Sequence, residues 1–163
     1  MSISLDFKGD VKRETRWLAQ YGQVASTITA ALLVWRMDTA PERRLAPVAV
    51  VAASSLAGLA AFVLKRLVGR VRPGRPQAGR FLGPSLKHEN YRESFPSSHS
   101  ACAVGLSAAL ASLYPQGAVV FWALAVTCAI LRYLLDAHWP SDVLGGAALG
   151  YGMAHLVMRA FSG

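Results

Sequence analysis

"LAPVAVVAASSLAGLAAFVL", residues 45–64, runs for 20 positions without a charge, with Arg44 before it and Lys65 after it. At 1.5 Å of rise per residue, a helix of this length crosses the ~30 Å hydrocarbon core of a bilayer. The whole chain supports that reading. Hydrophobic residues make up 53% of the 163 and charged residues 16%, against about 25% charged in a soluble domain. Trp17–Trp35 is also free of charge but carries Gln20, Gln23, Ser26, Thr27 and Thr29, which suits a helix facing other helices. Ser98–Tyr114, Gln116–Leu135 and Ser141–Phe161 complete the set. The expected fold is an all-α integral membrane bundle of about five transmembrane helices. It forms one domain over residues 1–163, with a polar N-terminal segment 1–16 that lacks the signal-peptide order. Gly146 and Gly150 form a small-xxx-small pair that predicts close helix contact. Cys102 and Cys128 sit in apolar runs and read as free, small hydrophobes.

The net charge is +8, and its position narrows its meaning. Lys65, Arg66, Arg70, Arg72, Arg75, Arg80, Lys87 and Arg92 all fall in one stretch between apolar runs. No basic recognition helix or aromatic-interleaved basic sheet is visible, which argues against nucleic acid. Anionic lipid or a phosphorylated substrate remains. The segment from Gly69 to Phe95 is long and rich in Pro, Gly and Arg, and loops of that length in compact domains are usually functional or disordered.

With alternating helices, this loop and the segment "RYLLDAHWPSDVLGG", residues 132–146, share one side of the bilayer. Three polar clusters then meet there. In "KRLVGRVRP", residues 65–73, Lys65 and Arg72 are seven positions apart, about two helical turns, so both chains can share a face. In "SFPSSHS", residues 94–100, Pro96 and Ser97 lead into a helix whose first residues include Ser98 and His99. A helix start offers unpaired N–H groups and a positive dipole end. The third cluster holds Arg132, His138 and Asp142. Taken singly, these clusters read as interfacial snorkelling, a helix cap and a structural hydrogen bond. Together, three cations, a helix N-terminus and two histidines suit a tetrahedral dianion. Asp142 lies four residues after His138, so it can accept the Nδ1 proton and leave Nε2 free to attack. His99 would protonate the leaving oxygen. No Cys/His/Asp cluster has metal-ligand spacing, so neither a metal nor a cofactor is expected.

These three blocks resemble the type 2 phosphatidic acid phosphatase superfamily. Its signature is K-x6-R-P, then P-S-G-H, then S-R-x5-H-x3-D. The chain reads Lys65-x6-Arg72-Pro73, Pro96-Ser97-Ser98-His99 and Arg132-x5-His138-x3-Asp142, in order and spacing over residues 65–142. The resemblance implies a helical membrane fold and metal-independent removal of phosphate through a phosphohistidine. It implies His138 as nucleophile, Asp142 as its partner and His99 as acid. Lys65, Arg72, Ser97 and Arg132 would hold the phosphate, helped by the backbone at Ser98. Ser98 stands where the family has glycine, and Leu131 where it has serine. Many relatives have six spans against the five counted here.

The expected substrate is a lipid carrying a phosphate or diphosphate, received from the bilayer. Undecaprenyl-type diphosphate, phosphatidylglycerophosphate, phosphatidate and lipid A phosphate all fit, and a bacterial inner membrane is the expected location. The alternatives are a non-catalytic helical transporter or scaffold, and an enzyme like the vanadium haloperoxidases, which are large and soluble. On the five-span topology the active face carries thirteen basic residues and the other face four. Setting aside Lys65, Arg72 and Arg132 leaves ten against four, which favours a cytoplasmic site. Without the first span the count becomes six against eight, and most bacterial relatives act on the outer face.

Overall fold

A computed structural model describes residues 14–15, 17–135 and 138–162. Five helices of ten residues or more run through the described part: α1 Val24–Met37, α2 Ala46–Val68, α3 Ser98–Leu113, α4 Ala118–Leu134 and α5 Pro140–Ser162. The fold is all-helical, and the described residues contain no strand beyond one isolated bridge between Arg70 and Phe81. Two helical segments, Pro41–Val68 and Pro115–Leu134, are long and apolar enough to cross a membrane. The polar segment 1–16, apart from Glu14 and Thr15, lies outside the described residues, as do Asp136 and Ala137.

The apolar run expected over Trp17–Trp35 is not one helix. Turns at residues 19–23 interrupt it, with Gly22 at φ +84°, and α1 begins at Val24. Crowding is the reason for the break. A Cβ on Gly22 would come within 2.4 Å of the Ala103 backbone nitrogen on α3, so the chain bends where it meets the central helix. The Gly22 carbonyl accepts hydrogen bonds from Ser54 at 2.9 Å and from Thr27 at 3.0 Å. Of the polar residues of this run Thr27 is buried and Gln23 and Ser26 are half-buried, whereas Gln20 and Thr29 are exposed, so the expected inward polar face is only partly formed.

The Ala-rich helix α3 is the axis of the bundle. Ten of its 16 residues are buried, from Ser100 to Leu110, and α2, α4 and α5 all pack on it. Small side chains make this possible, because helices approach more closely where no branched chain intervenes. Ala53 and Ala57 of α2 meet Gly105, whose Cβ would lie 3.0 Å from the Ala53 carbonyl. Gly146 and Gly150 of α5 face α3 even more tightly. A Cβ there would sit 2.3 Å from the Ser97 carbonyl and 2.2 Å from the Ala101 carbonyl. The predicted small-xxx-small contact is thus the α3–α5 seam. The outer surface carries the large apolar residues, among them Leu32, Leu59, Phe62, Val120 and Leu156.

The helix ends follow local chemistry. Ser97 caps α3 by accepting from the Ser100 N–H. Gly69 ends α2 in the left-handed conformation at φ +62°. Pro140 opens α5, where its missing N–H costs nothing. Gly146→Ala is expected to lower thermal stability in detergent sharply, by about 3 kcal/mol, because backbone blocks the added methyl. Gly152→Ala, with open space around its Cβ position, is the control and should be neutral or slightly stabilising. Thermal unfolding of the two variants checks the seam directly.

Candidate active site

The end of α2, the segment 90–97, the start of α3, the end of α4 and the start of α5 converge at one end of the bundle. Backbone contacts set the convergence. The Ser97 N–H donates to the Asp142 carbonyl at 2.9 Å, and the Ser94 N–H donates to the Arg70 carbonyl at 3.0 Å. The loop after α2 is thereby fastened to the starts of both α3 and α5.

His138 and Asp142 are buried, but their relation differs from the simple pair expected. The His138 Nδ1 lies 2.9 Å from the Ser94 carbonyl oxygen and 3.7 Å from the Asp142 Oδ2. The first is a hydrogen bond; the second is too long for one. A carbonyl has no proton to give, so Nδ1 is the donor and the neutral ring keeps its lone pair on Nε2. The outcome expected of Asp142 is reached through Ser94. Asp142 instead anchors the surroundings. It accepts from Ser94 Oγ at 2.5 Å, from the Trp139 N–H at 2.9 Å and from Arg70 at 2.6 Å. Burial, with the charges of Lys65, Arg72 and Arg132 adding to it, pushes the His138 imidazole down to about 4, the Asp142 carboxylate opposing. The ring is therefore unprotonated at neutral pH.

Lys65 and Arg72 meet, though not on one helical face. The helix ends at Val68 and the chain turns at Gly69, so Arg72 sits on the loop. The two join because they share an acceptor: the Glu93 carbonyl takes Lys65 Nζ at 2.8 Å and an Arg72 Nη at 3.2 Å. Arg72 Nε also donates to the Asn90 carbonyl at 2.7 Å. Arg132, in the last turn of α4, is half-buried, and its Nε has no hydrogen-bond partner among the described residues. His99, in the first turn of α3, lies within electrostatic reach of Arg132, His138, Lys65 and Arg72. Ser97 is fully buried and its Oγ faces the helix start, accepting from Ser100 Oγ at 3.0 Å. Ser98, half-buried, is the first residue of α3. Its N–H and that of His99 belong to the first turn, where no carbonyl of the helix can accept them. The eight residues singled out in the sequence thus fall on the elements that converge at this end.

Several contributors were not singled out. Arg70 pairs with Asp142 and also donates to Ser141 Oγ at 2.6 Å, while its guanidinium lies over the rings of Phe81 and Trp139. Ser94 touches both Asp142 and His138. Spacing did not signal them: Arg70 and Arg72 are two apart, which in a regular extended segment puts both chains on one side, yet Arg70 reaches Asp142 while Arg72 reaches the Glu93 and Asn90 carbonyls. His88, for which the sequence offered no partner, sits 2.8 Å from Glu93 Oε1. His155 stacks on Tyr151 with ring centroids 6.4 Å apart.

Comparison with known proteins places this geometry. The model of the PAP2 superfamily matches residues 45–163. A lipid A 1-phosphatase of Rhizobium johnstonii is 38% identical over 106 residues, 64% of this chain and 43% of that protein. A decaprenylphosphoryl-5-phosphoribose phosphatase of Mycolicibacterium smegmatis is 36% identical over 107 residues, 65% of this chain and 55% of that one. The chain spans about half the length of the curated relatives it matches. Among solved structures, Aquifex aeolicus LpxE superposes with a TM-score of 0.75 at 17% identity, covering 96% of this chain and 90% of that one. A PAP2-type phosphatidylglycerolphosphate phosphatase from Bacillus subtilis gives 0.71 at 21%, covering 97% and 80%. At such identities the structural likeness speaks for the fold.

Proposed function

Since the chain belongs to the PAP2 superfamily, we propose that it is a membrane-embedded, metal-independent phosphatase. It cleaves a phosphate or diphosphate ester of a lipid through a phosphohistidine. One observation carries the reading: His138 donates Nδ1–H to a carbonyl and so presents the Nε2 lone pair, among three cations and a second histidine.

In the proposed reaction, His138 Nε2 attacks phosphorus and the bond from phosphorus to the lipid oxygen breaks. His99 gives that oxygen its proton. Water then attacks the phosphohistidine, His99 takes its proton, and the N–P bond breaks to release phosphate. Lys65, Arg72, Arg132 and the first N–H groups of α3 stabilise the charge that gathers on the equatorial oxygens. An oxyanion would also give the buried Arg132 Nε an acceptor. Ser97 holds the start of α3 in place, while Asp142 and Arg70 fix the ring through Ser94 and the loop. The hydroxyl of Ser98 stands where the family signature has glycine and adds a donor at the same helix start.

The substrate class follows from position, because a site at the ends of apolar helices receives an amphiphile. The relatives named for lipid A and for a decaprenyl-linked sugar phosphate support a large lipid anchor. The test is phosphate release from a panel of lipid mono- and diphosphates by purified protein in detergent with EDTA. Release should persist with chelator and fall with vanadate, a mimic of five-coordinate phosphorus. No release from any of the panel would overturn the reading.

Five crossings of a bacterial inner membrane are proposed, with the site on one face. Ala40 lies between α1 and α2 and Glu89 in the loop between α2 and α3, on opposite faces if α2 spans. With Cys102 and Cys128 replaced, Ala40→Cys and Glu89→Cys should react with an impermeant maleimide from opposite sides only. Reaction of both from one side would exclude this topology.

A further inference from the structure

Helices α4 and α5 each pack on α3 but touch each other much less. A lateral groove of about 660 Å³ is left between them, with Val104 of α3 at its floor. We propose that this groove holds the hydrocarbon chain of the substrate, with the phosphate end at Arg132 and His138. The inference rests on the phosphatase reading and extends it to how the lipid is seated.

The groove ends beside the site. Its mouth is formed by Tyr133, next to Arg132, and by Pro140, midway between His138 and Asp142. Its walls are wholly apolar, so it has nothing to offer a headgroup and much to offer a chain. Ala129 and Ala147 line it where larger residues would close it. The far end is also defined. Trp122 and Tyr151 reach across from the two helices with ring centroids 6.3 Å apart.

The length of the groove identifies the occupant. Trp122 to Tyr133 and Pro140 to Tyr151 are each eleven positions, about 16 Å of helix. That is about half of the ~30 Å hydrocarbon core. A groove that begins beside a cationic cluster and is closed after about 16 Å by an aromatic pair fits one chain of a lipid from the leaflet on the active side. A helix of a second protein would be expected to run on past that pair.

Two measurements test the seating. Ala129→Trp fills the groove and should raise KM for a long-chain lipid phosphate about tenfold, the loss of two buried methylenes. The preference for long-chain over short-chain phosphate esters should shrink accordingly. Leu59→Trp, on the exposed side of α2, should leave that preference as it was. The second measurement uses the unaltered chain and so does not depend on a variant that folds. A polyprenyl monophosphate with a diazirine partway along its chain should label peptides of α4 and α5. Label confined to α1 or α2, with phosphate still released, would overturn the groove and leave the phosphatase reading standing. An unchanged chain-length preference in Ala129→Trp would do the same. Lack of release from short and long substrates alike would overturn the phosphatase reading, and the seating with it.

Discussion

His138→Ala is expected to lower phosphate release by about three orders of magnitude or more, with thermal stability close to that of the parent chain. The proposed reaction has no other nucleophile at this position, and removal of a nucleophile typically costs that much. Rapid alkaline quenching should trap a phosphorylated protein from the parent chain and none from the variant. A transporter or scaffold would be indifferent to the substitution. The same residue sets the acid side of the pH profile. Nε2 must be unprotonated to attack, and the imidazole is pushed down to about 4 by burial and the neighbouring cations. Activity of the free protein, read as kcat/KM, should therefore persist as pH falls through 6.5 and fail on approach to about 4. A profile that fails near the ordinary histidine value would show a ring more hydrated than this burial allows.

Asp142→Asn is expected to cost about one to two orders of magnitude in kcat, less than where a carboxylate holds the catalytic imidazole directly, because the Ser94 carbonyl already fixes the His138 tautomer. It should also cost about 3 kcal/mol of stability, because it leaves the Arg70 guanidinium, 15% exposed, without its buried counter-charge. The stability loss separates this role from a purely catalytic one. Ser94→Ala gives the contrast. It deletes the hydroxyl that binds Asp142 but keeps the carbonyl that receives the His138 Nδ1–H, so its effect on kcat should be about tenfold or less. If Ser94→Ala were as damaging as Asp142→Asn, the hydroxyl rather than the carbonyl would be the critical link.

The three motif blocks were legible because each is compact in sequence and each has distinctive chemistry. Lys65, Arg72, His99, Arg132, His138 and Asp142 could be placed at one end of the bundle from helix alternation alone. Their contacts could not. Helical periodicity put Lys65 and Arg72 on one face, whereas a left-handed Gly69 ends the helix between them. They meet only because both reach the Glu93 carbonyl, more than 20 residues onward. Spacing of four made Asp142 the direct partner of His138, and the loop carbonyl of Ser94 took that place. A backbone acceptor leaves no mark in the residue types, and so Ser94 looked like any loop serine. The break at Gly22 was hidden for a related reason. Hydropathy records how apolar a run is, but not that α3 passes 2.4 Å from where a Cβ would stand.

The central helix α3 has 16 residues, whereas α2 and α5 have 23. At 1.5 Å per residue the difference is about 10 Å. Its neighbours shield the short helix from lipid, so it need not match the bilayer itself. The proposed phosphate site at its first turn would then lie below the headgroup plane, and a substrate phosphate would have to sink towards it. Turnover should consequently respond to hydrophobic thickness: short-chain bilayers bring headgroups down to the pocket, and thick, sterol-like ones hold them away.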